Sequence, residues 1–198
     1  MRTWLAAIGA AVLGTAALAW ATDGGRAFTA ETARRLAVSE HPRAVPDLRL
    51  QLQTGAEVRL RDLRGRLVVA TFIYTRCRTM CPMLGIRMAR IRDQLPASAV
   101  GGEVRFLSLS FDPAHDDPER LRAYGGHYGA EPENWWVARP RSGLDRILER
   151  MGVVVLPDGH GGFSHNAAFY LIDRDGRLVA IIDDARPARV VQAVEARL

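Results

Sequence analysis

The chain has 198 residues, 48% of them hydrophobic and 25% charged, which suits one medium globular domain and excludes global disorder and a polytopic membrane protein. The formal charge is +5 and all 27 basic residues are arginine, but they are scattered and match no DNA- or RNA-reading motif, so nucleic acid is not an expected partner. Two cysteines exclude a disulfide-rich scaffold and leave the question of what one close pair is for.

Arg2 precedes an uncharged, Ala- and Leu-rich run over residues 4–21, closed by Asp23. This is the positive flank and apolar core of an export signal, and Ala19-Trp20-Ala21 resembles a small-x-small cleavage site. The run is also just long enough to cross a bilayer as an uncleaved anchor. A buried helix of a cytoplasmic protein is the remaining alternative. Either leading reading places the rest of the chain on the periplasmic side of the inner membrane, anchored or secreted, where cysteine chemistry meets oxidants. Residues 1–22 are therefore expected to be signal peptide or transmembrane anchor, 23–44 a tether or short helix, and 45–198 the folded domain.

In that domain, Leu48, Leu50 and Leu52 alternate with polar residues, as do Val58 and Leu60, predicting two half-buried strands around a Thr54-Gly55 turn. A second turn at residues 62–65 leads into residues 67–74, a near-continuous apolar and β-branched run suited to the sheet centre. Leu84, Met88, Ile91 and Leu95 fall at helical spacing. Residues 104–110 form a second buried strand, and Asp117-Pro118-Glu119 opens a helix. Residues 135–137 form a short strand, and Leu144, Ile147, Leu148 and Met151 mark another helix. Strands over 167–172 and 178–182 flank the hairpin turn Asp173-Arg174-Asp175-Gly176, and a closing helix carries Val190, Val191, Val194 and Leu198. The pattern predicts one α/β sandwich of the thioredoxin type, a central mixed β-sheet flanked by helices.

Chemistry concentrates in residues 75–82, Thr-Arg-Cys-Arg-Thr-Met-Cys-Pro, where the central strand gives way to a helix. A thiolate at a helix N-terminus is stabilised by amides and dipole, with Arg76 and Arg78 adding positive charge. Cys77 and Cys81, four apart, can face the same side and form a disulfide or share a metal ion. Two buried structural cysteines are the bland alternative. Among the five histidines, His165 stands directly before a late strand whose preceding loop, in a sheet of this type, packs against the cysteine loop. His160 lies on a glycine-flanked loop. Two thiolates and an imidazole suit Cu(I); zinc remains open but would want a fourth ligand in a structural site.

The segments 63–66, 72–77 with Cys81-Pro82, 106–108 with 111–113, 117–121, and Ser164-His165-Asn166 before 169–173 resemble the Sco/SenC family. These are membrane-tethered thioredoxin-fold copper proteins that assist assembly of the CuA centre of cytochrome c oxidase. The resemblance implies copper, as Cu(I) with Cu(II) also admitted, held by Cys77, Cys81 and His165. It further implies a redox role for the two cysteines, a metallochaperone rather than an enzyme proper, and as partners cytochrome c oxidase subunit II (or another copper-receiving protein) and a thiol–disulfide reductant. The loop departs from the family pattern. Arg78, Thr79 and Met80 stand where a proline after the first cysteine and an acidic residue between the pair are usual, which favours weaker metal binding or more thiol redox work. The Met80 thioether and Asp112, Asp116 and Asp117 near the site are read as packing, turn and capping residues.

The second reading is a periplasmic thiol–disulfide oxidoreductase without a metal role. It would want CxxC and a proline before the late strand, and neither is present. A peroxidase of the peroxiredoxin kind would want Pro-x-x-x-Thr-x-x-Cys, which is also absent.

Overall fold

The computed structural model describes residues 2–77, 80–183 and 185–198 and divides into two compact units, Met1–His41 and Pro42–Leu198. The first unit holds helix α1 (Arg2–Ala21) and helix α2 (Ala30–Glu40). Of α1, residues Thr3–Ala21 are long and apolar enough to cross a membrane, and none of that span is buried. Thr29 caps α2 by accepting from the Thr32 N–H at 3.1 Å, and Val38 is its buried residue.

The second unit contains β1 (Arg43–Ala44), β2 (Arg49–Leu52), β3 (Glu57–Arg59), β4 (Leu67–Ile73), α3 (Met80–Gln94), β5 (Val104–Ser110) and α4 (Pro118–Tyr128). It continues with β6 (Trp135–Pro140), α5 (Leu144–Met151), β7 (Val155–Pro157), β8 (Phe163–His165), β9 (Ala168–Ile172), β10 (Arg177–Asp183) and α6 (Pro187–Glu195). Eight strands form one mixed sheet in the order β1-β10-β9-β4-β5-β6-β2-β3, while β7 and β8 form a separate hairpin.

Every residue of β4 is buried, as its unbroken apolar run requires. It runs parallel to β5 and antiparallel to β9, and β5 in turn runs parallel to β6. α6 packs on β9, β10 and α3, whereas α4 lies on β6 and β2. Two buried polar side chains pair within the sheet layer: Gln53 donates to the Ala130 and Trp135 carbonyls and accepts from the Val137 N–H, and Trp135 Nε1–H donates to Ser108 Oγ.

The expected elements appear, with three differences. Leu60 does not continue a strand. It opens a 3-10 turn (Leu60–Leu63) whose geometry is fixed by the Arg59 N–H donating to Asp62 at 2.8 Å. The strand at Trp135 runs on to Pro140 because β2 pairs with its second half. The β7–β8 hairpin falls where a glycine-rich loop is expected.

Candidate functional site

β4 ends at Ile73, and residues 74–77 carry the chain to the head of α3. Cys77 is half-buried before the helix; Cys81 lies in its first turn and is 1% exposed. The helix accepts Pro82 here because first-turn N–H groups have no intrahelical acceptor. The Cys81 N–H donates to Cys77 Sγ at 3.3 Å, and the Tyr74 N–H reaches Cys81 Sγ at 3.5 Å. The structure thus brings the two cysteines together as thiols. Hydrogen bonding to Cys77 first, and then burial, push the Cys81 thiol well above its usual range, against the opposing Tyr74 N–H. The helix terminus does not make Cys81 a ready thiolate, contrary to the expectation from its position alone. Arg78, Thr79 and the side chain of Met80 lie outside the described residues, and with them the expected Arg78 charge and thioether, while the expected Arg76 charge is paired with Asp112 at 2.7 Å.

His165 ends β8, and its ring stacks edge-on against Phe111 with centroids 5.0 Å apart. Phe111 in turn meets Tyr74 at 5.2 Å, and Tyr74 meets Phe163 at 5.3 Å. Both imidazole nitrogens of His165 are buried. The Tyr74 hydroxyl accepts from the Phe163 N–H and donates to the Phe163 carbonyl, both at 3.3 Å. Burial, and then the Cys77 sulfur beside it, push this phenol above its usual range. Tyr74 therefore links the cysteine loop to the hairpin that carries His165. His160 lies at the exposed hairpin tip, where its N–H donates to Asp158. Among the described residues no group of three His, Cys, Asp or Glu side chains is gathered closely enough to hold a metal ion.

Two carboxylates contribute more than solvated turns would. Asp116 is fully buried; it accepts from the Thr75 N–H at 3.1 Å, the Thr75 hydroxyl at 2.6 Å and the Ser110 hydroxyl at 2.5 Å. Asp112, 6% exposed, pairs with Arg76 at 2.7 Å and with His115 Nδ1 at 2.8 Å. Asp117 is the expected cap, accepting from the Arg120 N–H at 2.9 Å. Their sequence signal is weak, since Asp in a turn is usually solvated.

A cleft of about 550 Å³ opens beside the pair, lined by both cysteines with Arg76, Arg120, Tyr124 and Tyr128 among others. Gly85, one turn beyond Cys81, makes its floor possible: a Cβ there would lie 2.4–2.7 Å from three Tyr128 ring atoms.

The sequence model of the SCO1/SenC family matches residues 37–198. The chain belongs to the SCO1/SenC family. A SCO1 protein homolog of Bacillus subtilis is 30% identical over 133 residues, 65% of this chain and 68% of the homolog. Among solved structures, BsSco, a Sco-family cytochrome c oxidase assembly protein with an identified disulfide switch, aligns with a TM-score of 0.68 and 26% identity, covering 79% of this chain and 94% of BsSco. Copper-bound ScoI of Bradyrhizobium japonicum aligns with a TM-score of 0.64 and 23% identity over 78% of this chain and 99% of ScoI, a likeness of fold. This SCO1/SenC chain accordingly has the thioredoxin-like fold of those proteins.

Proposed function

We propose that this chain is a copper-binding assembly factor that delivers copper to the CuA site of cytochrome c oxidase, reduces the cysteines of that site, or does both. One observation carries the reading: the chain's only two sulfhydryls meet at the head of α3, in a member of a family with copper-bound structures. Cys77, Cys81 and His165 are the copper ligands. Two thiolates and an imidazole are a soft, low-coordinate set suited to Cu(I). Capture of the ion requires both thiols to lose their protons and the His165 hairpin and the cysteine loop to close on it.

The cargo passes to a client that approaches through the cleft, Cys77 being the sulfur it meets first. The segment 1–22 acts as anchor or export signal, the residues from 23 to the start of β1 act as a tether, and the folded unit Pro42–Leu198 works on the periplasmic side of the inner membrane. Loading the reduced chain with Cu(I) tests this reading. It predicts tight one-to-one binding; weak binding with rapid disulfide turnover would replace it with the thiol reading.

That second reading is favoured by the contrast between half-exposed Cys77 and buried Cys81, whose thiol is pushed above its usual range by the contact with Cys77 and by burial. The Cys77 thiolate attacks a client disulfide, forming a mixed disulfide and releasing one client thiolate. Cys81, giving its proton to solvent, then displaces the second client thiolate. Two electrons pass to the client, and an external dithiol reductant restores the pair.

A further inference from the structure

Arg76 immediately precedes Cys77, and its guanidinium touches two separate segments, residues 112–115 and the β7–β8 turn. Nε and Nη2 donate to the same Asp112 oxygen at 3.2 and 2.7 Å, Nη1 donates to the Gly161 carbonyl at 3.1 Å, and Nη2 lies 3.4 Å from His115 Nδ1. Asp112 is fixed in turn: its other oxygen meets His115 Nδ1 at 2.8 Å, and its N–H donates to Ser110 Oγ at 3.0 Å. Gly161 belongs to the β7–β8 hairpin, four residues before His165. The adjacent pair Phe111-Asp112 thus supports both groups, Phe111 the imidazole and Asp112 the guanidinium.

We propose that Arg76 is a positioning residue for copper capture: anchored by Asp112, it pins the hairpin tip at Gly161 and so holds the His165 strand against the cysteine loop. The inference rests on His165 being a copper ligand. An arginine suits the role because its planar fork reaches an anchor on one side and a carbonyl on the other, whereas a lysine ammonium is a point charge without that fork. The Tyr74–Phe163 bonds hold the hairpin where β8 leaves the turn, and Arg76 holds the turn itself at Gly161. Losing the tip contact leaves an ordered fold but lets the imidazole wander, which lowers affinity as loss of any group orienting a metal ligand does.

The test is a double-mutant cycle on the full-length reduced chain, with Cu(I) affinity measured by competition with a chromophoric chelator. Arg76→Met should weaken binding by about ten- to hundredfold. Arg76→Lys should not restore it, and Asp112→Asn should weaken it in the same direction. His165→Ala should weaken binding more, and Arg76→Met added to His165→Ala should change affinity by no more than about a factor of two. If the Arg76 loss persists in full without His165, the residue acts through charge on the sulfurs and the latch is wrong. Wild-type affinity in Arg76→Met also overturns it. Wild-type affinity in His165→Ala instead removes the ligand assignment itself, and the latch with it. A metal-free readout stands apart from copper: amide hydrogens of β7 and β8 should exchange faster in Arg76→Met while those of β4 and β5 do not. Unchanged hairpin exchange would refute the latch whatever copper does.

Discussion

The backbone N–H of Cys81 points at the sulfur of Cys77, 3.3 Å away. The contact places the more exposed sulfur on a first-turn amide of α3, while the buried Cys81 sulfur accepts from the Tyr74 N–H. Neither cysteine substitutes for the other. Cys77→Ser and Cys81→Ser should each lower Cu(I) affinity by more than about a hundredfold, beyond the cost of losing an orienting hydrogen bond. Thiol counting on the air-oxidised wild type should find an intramolecular disulfide, and two titratable thiols under air would refute redox coupling of the pair.

Gly85 and Tyr128 make a second prediction. Because a Cβ at Gly85 would sit 2.4 Å from the ring, Gly85→Ala should destabilise the fold by about 1–3 kcal/mol through overpacking. In a Tyr128→Ala background the same change should be neutral or stabilising by up to about 1 kcal/mol, since alanine is the better helix former. Urea unfolding of the four proteins gives the comparison. Equal costs in both backgrounds would mean that the ring does not rest on Gly85.

Asp116 holds Thr75 and Ser110 with one buried carboxylate. Asp116→Ala strands these donors and should cost about 1–3 kcal/mol. For a domain of this size the melting temperature should fall by about 2–4 °C per kcal/mol. Thr75 anchors the entry to the cysteine loop, so the variant should also raise the accessibility of Cys81 to an alkylating reagent. An unchanged Cys81 reaction rate would show that the loop does not depend on this anchor.

Acid stability should depend on Asp112. Burial disfavours its charged form, but hydrogen bonds from Arg76 and then His115 outweigh that and hold the carboxyl below the usual range. Arg76 and His115 are the charged and titratable groups paired with it. Its folded pKa lies below the unfolded value of about 3.9, so its contribution is complete above that value and disappears as pH falls through the folded pKa. Stability measured between about pH 6 and pH 3 should fall less steeply in Asp112→Asn than in wild type. Parallel curves would mean that Asp112 carries no such linkage.

Much of this was legible because the core strands carry strong periodic or continuous apolar signals: residues 67–73 and 104–110 became β4 and β5, and the cysteine pair stood at the junction that β4 and α3 define. What stayed hidden depends on distant partners. The strands of the β7–β8 hairpin are three residues each, one ends in Pro157, and they are held by Tyr74 and Phe111 from other parts of the chain. Asp112 and Asp116 have the local context of ordinary turn residues; their distant partners, Arg76 for Asp112 and Thr75 for Asp116, are brought in by folding. The high proton affinity of Cys81 likewise follows from its contact with Cys77 and its depth, which residue type and position do not encode.

X-ray absorption at the copper edge of the reduced, Cu(I)-loaded chain tests the ligand assignment most directly. Wild type and His160→Ala should both show two sulfur scatterers and one imidazole nitrogen. His165→Ala should keep the sulfurs and lose the imidazole signature. An imidazole that survives in His165→Ala and vanishes in His160→Ala, or a spectrum with fewer than two sulfurs in wild type, would contradict a site built from Cys77, Cys81 and His165.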